Sequence, residues 1–245
     1  MAKYLKKFET QAAYEAAEPN LILPNVSLTV DNNVVHYNPS SPTPSHDYVE
    51  IGGIKWATMN VGANSITDRG LYFQWGDTQG YTAAQCGSGE GKKYFGWADY
   101  KYTNDSGSTM SKYNSTDGKT VLDAEDDAAT VNMGGNWRMP TVSEFVALGE
   151  AVTSAWTADY QGSGVPGLVL TDKTDSSKVL FFPAACYCNN GTVYVGSYGG
   201  YWSSSVLSRN VRNAYSLYFE SSYVYWQSDV RRRCVGFAVR GVLGE

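Results

Sequence analysis

Glycine divides this chain into pieces too short for long helices and well suited to strands. Its 25 glycines fall between runs such as Tyr48-Val49-Glu50-Ile51, Ile54-Lys55-Trp56-Ala57 and Gly70-Leu71-Tyr72-Phe73-Gln74-Trp75-Gly76. Aromatic residues make up 14% of the chain, with 19 Tyr and 7 Trp, while charged residues are only 18%. Aromatic and β-branched side chains bounded by turn formers predict a strand-rich domain rather than a helical bundle. At 245 residues the chain is long enough to bury a core.

Three regions follow from local composition. In residues 1–37, Thr10 to Ala17 reads as a short helix ended by Pro19. Strands Val26–Val30 and Val34–Tyr37 then follow, joined at Asp31-Asn32-Asn33, whose side chains favour a tight turn. A two-stranded hairpin is marginal alone, which suits an attachment unit. Residues 38–45, Asn38-Pro39-Ser40-Ser41-Pro42-Thr43-Pro44-Ser45, form a semi-rigid spacer, and residues 46–245 make the main domain.

Within that domain two short helices are signalled. Asp123 to Val131 has an acidic first turn suited to the helix dipole, and Gly134-Gly135 stops it. The second follows Pro140, where Thr141-Val142-Ser143-Glu144 matches a capping box. Phe145 and Leu148 then share a face, with Val152 a turn beyond. Residues 77–120, rich in Gly, Ser and Tyr, carry no clear period. Strands are expected at Gly70–Gly76, Gly167–Thr171, Val179–Pro183, Val193–Val195, Ala214–Phe219, Tyr223–Trp226 and Gly236–Val242. The fold class is therefore α+β, with two short helices and a mostly antiparallel sheet.

A net charge of -5 argues against nucleic-acid binding, which depends on neutralising phosphates. Beyond Lys178, Arg209, Arg212, Arg231, Arg232 and Arg233 face Glu220 and Asp229, a mildly basic patch. No run is long enough to span a membrane. Met1-Ala2-Lys3-Tyr4-Leu5-Lys6-Lys7 lacks the apolar core of a secretion signal, so cytoplasmic synthesis is expected, with any exit inside a larger particle such as a virion. Cys86, Cys186, Cys188 and Cys234 are expected as reduced thiols. Cys186 and Cys188, two apart on a strand, would share a face without pairing. Asp123, Glu125, Asp126 and Asp127 cluster without the spacing of a calcium cage. No metal and no cofactor are expected.

From Tyr198 onward the composition changes to Tyr, Ser, Arg, Asn and Val, the residues that build adaptable binding surfaces. Alternation along Ala214–Phe219 places Tyr215, Leu217 and Phe219 inward and Ser216 and Tyr218 outward. Tyr223 and Tyr225 share a face opposite Val224 and Trp226. Alternation groups Val235 with Phe237 and Val239.

Several motifs occur together in one order: Trp56-Ala57-Thr58-Met59-Asn60-Val61-Gly62-Ala63, Tyr72-Phe73-Gln74-Trp75-Gly76-Asp77-Thr78, Gly135-Asn136-Trp137-Arg138-Met139-Pro140-Thr141, Phe182-Pro183-Ala184-Ala185 and Gly200-Tyr201-Trp202-Ser203-Ser204-Ser205. In this, residues 48–242 resemble the major paralogous domain family named for Fibrobacter, found in gut bacteria and their phages. The resemblance implies a C-type-lectin-like fold, related to the formylglycine-generating-enzyme type. Cys186 and Cys188 stand where relatives carry Gly-Tyr-Arg, and Arg233 stands where the family keeps an Arg.

The carboxyl-terminal part, about 198–242, further resembles the variable proteins of diversity-generating retroelements. In those systems template adenines are mutagenised, so an asparagine codon can yield Tyr, Ser, Arg, Val, Asp, Cys or Leu but not Lys, Glu, Gln, Met or Trp. The resemblance then implies a variable ligand-binding set: Val206, Leu207, Arg209, Val211, Arg212, Asn213, Ser216, Tyr218, Ser222, Tyr223, Tyr225, Ser228, Asp229, Val230, Arg231, Arg232, Cys234 and Val235. Glu220, Trp226 and Gln227 fall to the scaffold. The expected function is non-enzymatic binding of a protein or glycan on a cell surface. Residues 1–45 would join the domain to a phage tail or other surface assembly, with a homo-oligomer compatible. The alternatives are a structural fibre subunit, or a formylglycine-generating-type oxidase using Cys186, Cys188 and Cys234.

Overall fold

The computed structural model describes residues 46–194, 196 and 198–244, together with the backbone of Ser27–Val30 and Asn33–His36. The side chains of Ser228 and Asp229 fall outside this description. The chain divides into two compact units, Met1–Ser45 and His46–Glu245. In the first, β1 (Ser27–Val30) and β2 (Asn33–His36) form an antiparallel hairpin with Leu28 opposite Val35. These strands lie within one residue of the expected bounds. The helix expected over Thr10–Ala17 and the spacer at 38–45 lie outside the described residues.

The second unit is mixed α+β, and every ladder between its strands is antiparallel. Strands β3 (Tyr48–Ile51) and β4 (Ile54–Asn60) are joined by Gly52 and Gly53, both at positive φ, the geometry of a two-residue hairpin turn. Their sheet is completed by β5 (Trp137–Arg138) and β14 (Arg240–Leu243) in the order β3-β4-β14-β5, so the last strand returns to the first. A meander of β6 (Val152–Thr157), β7 (Gly167–Asp172) and β8 (Val179–Pro183) follows the second helix. The hairpin β9 (Tyr187–Asn189) and β10 (Thr192–Tyr194) leads into a three-stranded sheet of β11 (Tyr198–Val206), β12 (Asn213–Glu220) and β13 (Val224–Arg232).

Among the described residues there are two α-helices, neither long and apolar enough to cross a membrane. Helix α1 is Ala128–Met133, shorter than expected because the acidic run before it forms a separate 3-10 turn, Ala124–Asp126. Asp127 is the N-cap of α1 and accepts from the Thr130 N–H at 2.9 Å, and Gly134 closes it at φ 71°. Helix α2, Val142–Ala151, begins at the expected capping box. The Glu144 carboxylate accepts from the Thr141 N–H at 2.7 Å and also takes both Arg138 Nη atoms, at 2.7 and 2.5 Å. Phe145 and Leu148 are buried as expected from their spacing.

Two expected strands are corrected. Gly70–Gly76 contributes only isolated bridges, Tyr72 to Tyr81 and Phe73 to Phe237. Its flanking glycines take positive φ, which turns the chain out of an extended path. Residues 236–238 likewise form single bridges, and the ladder starts only at Arg240.

The core has two halves, one on each side of the β11-β12 pair. On one side Trp202, Val206 and Ala214 pack with Trp75, Tyr113, Met133 and Phe237. On the other, Tyr201, Leu217 and Phe219 pack with Trp56, Phe145, Leu168 and Val242. The Trp75 and Trp202 indole N–H groups donate to the Ser203 and Phe73 carbonyls, each at 2.8 Å, and Ser204 N donates to Pro140 O at 2.7 Å. The Gly200–Ser205 motif is thus structural.

Candidate functional site

The sheet β11-β12-β13 positions most of the residues expected to bind ligand, and their exposure depends on which part of the sheet carries them. Between Ser216 and Tyr218 of β12 the pairing with β13 shifts register, from Ser216 opposite Asp229 to Tyr218 opposite Tyr225. The extra residues lie in β13, an edge strand that bulges. At the start of β13 and in the residue before it the expected alternation holds. Tyr223 and Tyr225 are 39% and 45% exposed, whereas Val224 and Trp226 pack on the core. Gly149 of α2 makes room for Trp226, since a Cβ there would lie 2.6 Å from the indole.

Six tyrosines make a continuous patch at this end of the sheet. The Tyr194 ring stacks on Tyr187 at 4.5 Å between centroids, and Tyr187 meets Tyr198 at 5.7 Å. Tyr198 meets Tyr218 at 5.7 Å, and Tyr218 meets Tyr223 at 6.3 Å and Tyr225 at 6.4 Å. Tyr223 and Tyr225 are 4.8 Å apart. Arg231 ends the row with its guanidinium carbon 5.0 Å from the Tyr218 ring centre, a cation–π contact. The Tyr218 hydroxyl donates to Glu220 at 2.5 Å. Hydrogen bonds from Tyr218 and Tyr223 hold the Glu220 carboxyl below its ordinary range, while burial and the Glu220 bond push the Tyr218 phenol up. Both groups are therefore fixed at neutral pH as a carboxylate and a phenol.

Tyr187 and Tyr194 were not expected here, yet a signal was present. Asn190-Gly191 at positive φ is a strong hairpin turn, and it pairs Tyr187 with Tyr194 in register. Tyr198 and Glu220 are likewise direct partners across β11 and β12.

Arg209 and Arg212 are exposed in the loop between β11 and β12, and Arg232 is exposed opposite Asn213. Arg212 lies over the Trp97 ring at 5.3 Å. Val211 is partly buried against the core, Val230 and Asn213 are half-buried, and Ser222 is exposed in the β12-β13 turn. The structure thus joins Tyr218, Tyr223, Tyr225 and Arg231 in one patch, with Arg232 at the end of β13 and Arg212 in the β11-β12 loop beyond it.

Six residues of the expected ligand-binding set are buried, among them Ser216 and Tyr218, which alternation placed outward. Val206, Leu207, Ser216, Cys234 and Val235 are buried, Ser216 at 1% exposure. Both faces of β11 and of central β12 are covered, one by each half of the core, and the segment Cys234–Val239 returns along the edge of β11, where Ala238 bridges Tyr201 and its carbonyl accepts from Trp202 N at 3.1 Å. Val235 packs with Phe237 and Val239, as its parity indicated. Tyr218 is itself only 9% exposed, screened by its tyrosine neighbours and Arg231. Tyr215, expected inward, is half-buried.

Arg233, beside the exposed Arg232, is fully buried. It donates to Tyr100 Oη at 2.7 Å, Val211 O at 2.9 Å and Lys112 O at 3.1 Å. Its guanidinium also lies 4.6 Å from the Trp75 ring centre. Arg240 is its counterpart in the other half of the core, bonded to Asn60 Oδ1 at 2.9 Å, Ala57 O at 2.8 Å and Phe181 O at 2.9 Å. Burial lowers its pKa to about 10.

The acidic cluster Asp123, Glu125 and Asp126 is neutralised from within the chain. Lys112 Nζ lies 2.8, 3.1 and 2.5 Å from their carboxylates, Lys119 reaches Asp123 at 2.5 Å, and Lys101 reaches Asp126 at 2.9 Å. An ammonium occupies the position a cation would take. Burial alone would raise the Asp126 pKa, but hydrogen bonds from Lys112, Tyr113 and Lys101 hold it well below the usual carboxylate range.

All four cysteines are free. Cys186 precedes β9 at φ 61°, so it does not share a strand face with Cys188 as expected. Burial raises the Cys186 thiol, and raises Cys234 to about 12. Two surface depressions, of about 570 Å³ beside Asn136 and Arg138 and about 420 Å³ beside Asn64 and Leu71, contain none of the expected site residues. No protein-family model, curated protein or solved structure matches this chain.

Proposed function

We propose that this protein is a non-enzymatic ligand-binding protein whose recognition surface is the tyrosine patch and the adjoining arginines of β13. The observation that carries this reading is the unbroken contact of Tyr194, Tyr187, Tyr198, Tyr218, Tyr223 and Tyr225, ending on Arg231. Tyrosine supplies stiff contact area at small entropic cost, and Arg and Glu220 supply directed polar contacts. A protein or glycan on a cell surface fits that chemistry. A footprint near ~800 Å² per partner is the ordinary size for such recognition.

The motif resemblance extends this reading. The fold is of the C-type-lectin-like kind, and codon-level diversification acts on the exposed members of the set, above all Tyr223, Tyr225, Arg209, Arg212 and Arg232. Residues 1–45 attach the domain to a phage tail or other displayed assembly. An oxidase of the formylglycine-generating type is disfavoured, because Cys186 and Cys234 are buried thiols held in the protonated form and thiolate is the reactive species.

Labelled full-length protein on an array of immobilised glycans and cell-surface proteins tests the binding reading. Retention of specific spots that disappear with Tyr223→Ala/Tyr225→Ala supports it. Unchanged binding by that variant would reject the face. Burial of the same tyrosines in a homo-oligomer would favour a structural fibre subunit. Diversification has its own test, the DNA beside the gene: a near-copy of the 3′ coding segment differing at adenines is expected next to a reverse-transcriptase gene.

A further inference from the structure

The four cysteines are spread along the chain, yet the fold brings two of them into contact. Cys86 ends the 3-10 turn Ala83–Gln85 and is half-exposed, while Cys188 sits in β9 and is 1% exposed. Their sulfurs lie 2.7 Å apart across 102 residues of sequence. That separation is closer to the ~2.05 Å of a disulfide than to an ordinary non-bonded sulfur contact. We propose that Cys86 and Cys188 are a disulfide-forming pair, which on oxidation ties the loop around residues 82–96 to the β9-β10 hairpin.

The surroundings suit this chemistry. Backbone bonds already knit the two segments: Asn190 N donates to Phe95 O at 3.2 Å and Gly191 N to Tyr94 O at 2.6 Å. Cys188 N and O both bond to Gly236, at 2.9 and 2.8 Å, which holds β9 from the other side. Tyr72 and Phe95 pack against Cys188 and shield it from solvent. Cys86 is the accessible partner. The hydrogen bond from Cys188 and the charge of Lys92 lower its pKa, whereas the bond to Cys86 and burial raise that of Cys188. The outer sulfur is therefore the first nucleophile.

With a low-molecular-weight disulfide such as oxidised glutathione as oxidant, the step balances. The Cys86 thiolate attacks one sulfur of the small disulfide, whose S–S bond breaks and releases one thiolate. Cys188 then loses its proton to solvent and attacks Cys86 Sγ, expelling the second thiolate. Two protein thiols are oxidised and one small disulfide is reduced to two thiols.

Full-length protein incubated with excess oxidised glutathione provides the test, read by intact mass, non-reducing peptide mapping and thermal unfolding. Expected are a loss of two hydrogens' mass, one linkage joining the Cys86 and Cys188 peptides, and a Tm rise of about 10 °C, reversed by reductant, as a long closed loop predicts. Cys86→Ser should abolish the linkage and the shift. Cys188→Ala should stop at a glutathione adduct on Cys86. Four thiols surviving in the wild type, a linkage involving Cys186 or Cys234, or a persistent wild-type adduct would each overturn the pairing.

Discussion

Strands β11 and β13 flank β12 in one three-stranded sheet, yet they meet different surroundings. From Gly199 to Val206 every residue of β11 is buried, between two halves of the core. Strand β13 is an edge, alternating core-facing Trp226 with exposed Tyr225. The same contrast separates neighbouring arginines, since Arg233 is enclosed by aromatic rings and Arg232 is exposed. Within a few ångströms the molecule changes from a region where any substitution disturbs packing to one where side chains can change with little cost to the interior.

The sharpest way to break this contrast is the arginine pair. Arg233→Ala leaves the buried Tyr100 Oη and two half-buried carbonyls without their donor, and should cost about 4 kcal/mol by urea denaturation. Arg232→Ala should stay within about 0.5 kcal/mol. Similar losses for the two would erase the distinction.

A smaller effect is expected on β11. A Cβ at Gly199 would lie 2.1 Å from Phe219 Cζ, so Gly199→Ala should destabilise by about 3 kcal/mol through overpacking. The same measurement on Ser222→Ala, in the exposed turn, should show almost no change.

The lysine-filled acidic cluster gives a third comparison, this time through pH. Asp126 has its folded pKa depressed, so the unfolded chain binds its proton first as pH falls. Its contribution is complete above the unfolded value near ~4 and is lost as pH falls toward the lower folded value. Asp126→Asn should cost about 2 kcal/mol at pH 7 and flatten the acid limb of the stability profile. An unchanged limb would show that other carboxylates control acid unfolding.

Much of this was legible locally. The Thr141–Glu144 capping box and the Tyr223/Tyr225 alternation depend on neighbouring residues and emerged as expected. The burial of Ser216, Cys234 and Val206 was not legible, because parity says which face a side chain takes but not what later covers it. That cover is the half of the core built from Trp75, Tyr113, Met133 and Phe237. The Asn190-Gly191 turn was readable but its consequence, Tyr187 beside Tyr194 and then Tyr198, needed the fold. Contact between Cys86 and Cys188 had no local trace either.

The most direct measurement is a pair of libraries displayed on full-length protein and scored by the fraction that remains protease-resistant. One randomises Tyr194, Tyr223, Tyr225 and Arg232; the other randomises Tyr201, Trp202, Ser203 and Ser204. Most members of the first should stay folded, and few of the second. Equal survival, or collapse of the first library, would contradict a face whose chemistry varies independently of its support.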